Sequence, residues 1–61
     1  MIKLHVKIGN DWKMVFCNNL NRVMTTEDKS KALPQKAIWA RDDLNYFSNK
    51  FGNDEFKLIN V

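Results

Sequence analysis

Only one cysteine, Cys17, occurs among the 61 residues, so no disulfide can close within the chain and a stapled secreted mini-domain is excluded. One proline and two glycines are too few for a linker or a low-complexity tail. Long apolar runs are missing too. Short ones such as Met14-Val15-Phe16 cannot span a bilayer or form a signal-peptide core, so no membrane partner and no targeting segment are expected. A reducing cytoplasm is the expected compartment. The single histidine, His5, has no set of neighbouring ligands, which argues against a metal site and against any cofactor.

What the chain does have is apolar content, 44% of it, arranged with a clear period. That is enough for one small core, so residues 1–61 are read as a single domain. A chain this short buries only about 60% of the surface its unfolded form exposes, so its stability is expected to be marginal. The net charge of +3 is mild and uneven. Residues 1–36 carry seven Lys/Arg against three Asp/Glu, and residues 37–61 three against four. Such asymmetry favours oriented docking on a charged partner.

Residues 1–8 alternate strictly, with Ile2, Leu4, Val6 and Ile8 on one face and Lys3, His5 and Lys7 on the other, the pattern of a half-buried strand. Gly9-Asn10-Asp11 supplies a turn, and residues 12–17 return as a second strand. A three-residue loop pairs Ile8 with Trp12, Val6 with Met14 and Leu4 with Phe16. A two-residue loop pairs Ile8 with Asp11 and Val6 with Lys13. The first register is expected, because it gathers the large apolar groups on one face. A second turn at 18–21 leads to a short third strand at 22–26 and a polar segment at 27–31, either a loop or a single helical turn.

Leu33, Ala37, Ala40, Leu44, Phe47 and Phe51 then fall on one helical face, and Gly52 supplies a stop. The helix begins either near Pro34, a residue suited to a first helical position, or near Asp42 as a cap, with residues 36–39 then extended. Asn53-Asp54 makes a turn before a last strand at 55–61, with Phe56 and Leu58 on one face and Ile59 and Val61 on the other. The expected fold is α+β: a small antiparallel sheet, hairpin or three-stranded meander, followed by one helix and a C-terminal strand.

Catalytic groups are scarce. His5 and Cys17 fall on one sheet face as diagonal neighbours, but no third group orients them. Asp42 and Asp43 diverge by about 100° on a helix and do not face each other across a cleft. No enzyme is expected. Two surfaces remain. Lys3, His5, Lys7 and Lys13 form a basic strip on the polar hairpin face, extended by Lys29, Lys31 and Lys36, that suits phosphates. The plainer reading is a solvated lysine face that blocks edge pairing. Trp12, Trp39 and Tyr46 are the candidate anchors for a protein partner, because aromatics dominate binding hot spots. Core packing is their plainer reading, and a homodimer stays open.

Thr26-Glu27-Asp28-Lys29-Ser30-Lys31-Ala32, Asp43-Leu44-Asn45-Tyr46-Phe47 and Asp54-Glu55-Phe56-Lys57-Leu58-Ile59-Asn60-Val61 together resemble the layout of small accessory proteins of phages and prophages of low-G+C Gram-positive bacteria. The Leu33-Pro34-Gln35 segment departs from that layout, in which a short strand is more common. The resemblance implies a protein that occupies a surface on a host or defence complex, as anti-CRISPR and other anti-defence proteins do. It carries over no functional residue. The expected function is therefore a non-enzymatic binding protein acting on a host protein or nucleoprotein complex, with a nucleic-acid-binding module on the basic hairpin face as the alternative.

Overall fold

In a computed structural model of the chain, residues 1–19, 22–52 and 55–61 are described, Asn19 by its backbone alone. The turns expected at 18–21 and 53–54 fall largely outside them. Within that range the chain runs β1 (Ile2–Ile8), β2 (Asp11–Asn19), β3 (Arg22–Thr26), a 3-10 turn (Ala37–Trp39), α1 (Ala40–Phe51) and β4 (Phe56–Asn60). The strands form an antiparallel sheet in the order β3-β2-β1-β4, with the helix between β3 and β4 in sequence. This is the small α+β fold expected from the periodicities, meander included.

The hairpin register corrects the expected one. Ile8 pairs with Asp11, Lys7 with Trp12, Val6 with Lys13 and His5 with Met14, so the loop is two residues long. Gly9 has φ +62°, the positive value that the tight primed hairpin turns need at their first loop residue. A one-residue slip moves every side chain of a strand to the other face. Trp12 and Met14 therefore share a face with His5 and Lys7, whereas Lys13 lies with Val6.

One face of the sheet carries the main core. Leu4, Val6, Val15 and Phe56 are buried beneath Phe47 of the helix, with Val23, Leu33, Leu44, Phe51 and Leu58 packed around them. Phe47, Phe51 and Phe56 form a ring cluster with centroids 5.6–6.1 Å apart, within the usual range for aromatic pairs. Leu44, Phe47 and Phe51 are the helical stripe read from the sequence. Gly52 ends the helix as expected, at φ +126°, with its N–H donated to the Ser48 carbonyl at 2.9 Å. The start differs from both expectations. Pro34 lies before the helix, Asp42 and Asp43 sit within its first turn rather than capping it, and residues 37–39 are a 3-10 turn, not a strand.

The reason lies in what Ala32, Leu33 and Pro34 do instead. Beyond His5 and Met14, β1 and β2 part, and β2 carries a bulge at Phe16, between Val15 and Cys17. Leu33 fills the gap. Its N–H donates to the Val15 carbonyl and its carbonyl accepts from the Leu4 N–H, both at 2.7 Å. On either side of it, the Ala32 and Pro34 carbonyls accept hydrogen bonds from the Lys3 ammonium at 2.9 and 3.0 Å. Lys3 is only 6% exposed and Ala32 is fully buried. The expectation that Lys3 belongs to a solvated strip is thus overturned: the ammonium is a donor that an otherwise unpaired pair of carbonyls requires.

The loop before this plug is shaped by its own side chains. Thr26 Oγ1 accepts from the Asp28 N–H, and the Asp28 carboxylate accepts from both the N–H and the hydroxyl of Ser30. Thr26, Asp28, Ser30 and Ala32 are thereby accounted for as turn formers and a close-packed alanine.

Replacing Lys3 with Met should keep the stem but strand two inward carbonyls, costing about 2 kcal/mol in urea unfolding. Lys7→Met, at an exposed position on the same strand, should change stability by no more than about 0.5 kcal/mol.

Candidate binding face

The two surfaces expected from the sequence do not assemble as anticipated. In the basic strip, Lys3 and His5 are buried at 6% and 5% exposure, Lys7 is exposed, and Lys13 belongs to the opposite face beside Val6. Among the anchors, Trp39 and Tyr46 are exposed on the helical side, at 43% and 50%. Tyr46 lies beside the far end of β2, where its hydroxyl is 3.4 Å from Asn18 Nδ2. Trp12 is six residues away along that strand, or about 20 Å at roughly 3.3 Å per residue, and on the other face. These three rings therefore do not form one patch. Nor do His5 and Cys17 meet. His5 faces Met14, and Cys17 is three residues further along β2 and paired with Met24.

The structure gathers a different set. On the face away from the helix, one row across the sheet reads Thr26, Met14, His5, Lys57 from β3 to β4, and the next pairs Trp12 with Lys7. The Lys57 ammonium sits 4.2 Å from the centre of the Trp12 ring, a close cation–π contact. The plug at Ala32–Pro34 covers the neighbouring part of this face, over Lys3. Beside it an open cleft of about 560 Å³ remains, lined by His5, Trp12, Met14, Thr25, Thr26, Glu27 and Val61, and also by Lys13 although that residue pairs with Val6. Its size is that of a small-ligand site. Lys57, Met14 and Glu27 were not singled out from the sequence. Each depended on knowing the hairpin register and which strand pairs with the free edge of β1.

His5 forms the floor. Its Nδ1 lies 2.9 Å from the Lys3 carbonyl. A carbonyl only accepts, so Nδ1 carries the hydrogen and donates, which leaves Nε2 as a lone-pair acceptor in the neutral ring. Nε2 has no partner among the described residues, while no fully enclosed side-chain nitrogen or oxygen among them lacks one. Nε2 therefore keeps contact with the cleft.

Two carboxyls depart from ordinary behaviour, both away from this face. Hydrogen bonds from the Ser30 side chain and backbone hold Asp28 below the usual 3.8, and partial burial, followed by the charge of Asp42, raises Asp43 above it. Among the described residues there is no group of three or more metal-binding side chains, and no helix long and apolar enough to cross a membrane. Compared with known proteins, the chain matches no family model, no curated protein and no solved structure.

A carboxyl titration followed by NMR should place Asp28 below 3.8 and Asp43 above it. The signs for stability are opposite. The Asp28 contribution is present above its unfolded value and lost as pH falls through the folded one. Asp43, protonated more readily in the fold, favours the native state at low pH and loses that advantage as pH rises through its raised value.

Proposed function

We propose that this protein is a non-enzymatic binding protein that acts by occupying a surface on a macromolecular complex, and that the uncovered half of the sheet is the face it presents. One observation carries the reading. The side of the sheet away from the helix holds an open cleft whose floor and walls are a buried histidine, a tryptophan and a methionine, with Lys13 and Glu27 in its lining and Lys57 over the tryptophan. Half-buried aromatics at the centre of a polar rim are the usual anatomy of a binding hot spot. The resemblance to phage accessory proteins supports a finer version, in which the complex belongs to a host cell or its defences and binding inhibits it.

Trp39 and Tyr46 are the weaker anchors in this reading. Trp39 has the Lys36 ammonium 5.1 Å from its ring, and the Tyr46 hydroxyl is engaged by Asn18 and Lys50. Trp12 borders the open cleft.

Immobilised protein should retain a stoichiometric partner from a lysate of a low-G+C Gram-positive host. Trp12→Ala should weaken that binding by about thirtyfold, the scale of a hot-spot truncation. Tyr46→Ala should leave it within about threefold. Retention of nothing, or of a partner indifferent to Trp12, would reject the assignment.

A further inference from the structure

We infer that the His5 cleft holds an unpaired nucleobase, so that the complex this protein engages is a nucleoprotein with exposed single-stranded nucleic acid. The inference rests on the uncovered sheet face being the binding face, and it adds the class of ligand.

Three features of the cleft select the ligand. First, His5 is 95% buried by its 5% exposure, yet its Nε2 lone pair meets the cleft unpartnered. A buried acceptor kept open to a cavity calls for an N–H donor from whatever enters. Second, Trp12 and Met14 supply flat and deformable apolar surface beside that acceptor, which suits a planar group rather than a strongly hydrated one. A base has both properties, a π-face and ring or exocyclic N–H groups.

Third, lysines outnumber carboxylate side chains around the site. Exposed Lys7 on β1 and Lys57 on β4 adjoin Trp12, the first by strand pairing and the second by its ammonium over the ring, while Lys13 and Glu27 stand in the lining itself. A backbone of phosphates is attracted to Lys7 and Lys57 beside Trp12, which favours a single strand passing along β1 and β4. A tryptophan side chain from a protein would also satisfy His5, but it brings no anion for the two lysines.

The probes are an eight-nucleotide single-stranded DNA and an abasic strand of the same length. They are titrated against the full chain at low salt. The protein should bind the first at least about tenfold more tightly than the second. The logarithm of its affinity should fall with the logarithm of salt at a slope of about −1.4, as two neutralised phosphates imply. His5→Phe, which keeps a flat ring without the acceptor, should lower affinity about tenfold with the slope unchanged. Lys7→Ala combined with Lys57→Ala should flatten the slope.

His5 is buried, so a second readout guards against a misfolded variant. In a Trp39→Phe background the remaining tryptophan, Trp12, should be quenched by the base-bearing strand and not by the abasic one. Equal binding of the two strands, no binding at all, or a slope and affinity indifferent to His5 in a folded variant would overturn the nucleobase assignment. If a host partner is still captured through Trp12 while no strand binds, the binding face stands and only the ligand class falls.

Discussion

The fold turns on one buried cation. Where β1 and β2 part, a strand ladder would lose its hydrogen bonds, and the chain restores them by inserting the backbone of Leu33 between the Leu4 N–H and the Val15 carbonyl. That insertion faces the carbonyls of Ala32 and Pro34 inward. Buried carbonyls need donors, and an ammonium on a four-carbon stem can reach both at once. Lys3 does so at 2.9 and 3.0 Å. A lysine enclosed to this degree is uncommon because its charge must leave bulk water, and the hydrogen bonds to ionised donors, stronger than neutral ones, offset part of that cost.

From this contact the rest follows in order. Pro34 is held in the plug, so the helix starts only at Ala40, reached through the 3-10 turn. The plug covers part of the sheet face opposite the helix, giving a domain of 61 residues interior contacts on both sides of a single sheet. A chain of this size is short of buried area, and burying both faces of its central strand is one way to gain more. The cover stops short of Trp12 and His5, and the cleft is what it leaves exposed.

Much of the fold was legible in the sequence, and its failures share a cause. Strict alternation marked β1, the Leu44-Phe47-Phe51 spacing marked the helix, and Gly52 marked its end, because each signal is local. The hairpin register was misread on the premise that one face is buried and the other solvated. That premise sets large apolar side chains against polar ones, and it fails when Lys3 and His5 are interior. No local pattern announces a lysine whose partners lie about thirty residues away. The binding face was lost with the register: Trp12 could be assigned to the cleft only once it stood opposite Lys7, and Lys57 only once β4 was known to pair with β1. Leu33 fitted the helical stripe by spacing yet serves as a plug, since spacing cannot distinguish a helix from an isolated buried residue.

The same burial changes what the basic character of the chain means. Of the lysines on the polar face of β1, Lys3 is spent inside, so only Lys7 projects, and it is joined there by Lys57 of β4. Charge that seemed a diffuse strip becomes Lys7 and Lys57 beside Trp12, with the Lys57 ammonium 4.2 Å from the ring centre, and Lys13 in the lining of a small cleft. A diffuse strip would attract polyanions without regard to sequence or structure. Cations beside a flat ring and an acceptor open to the cleft discriminate by shape and hydrogen bonding as well as by charge. Lys57 also lies near the start of the edge strand β4, where a charged side chain deters pairing with another sheet. The residue that shapes the cleft therefore helps keep the open edge of β4 from recruiting a second strand, which favours recognition through the face of the sheet over recognition through its edge.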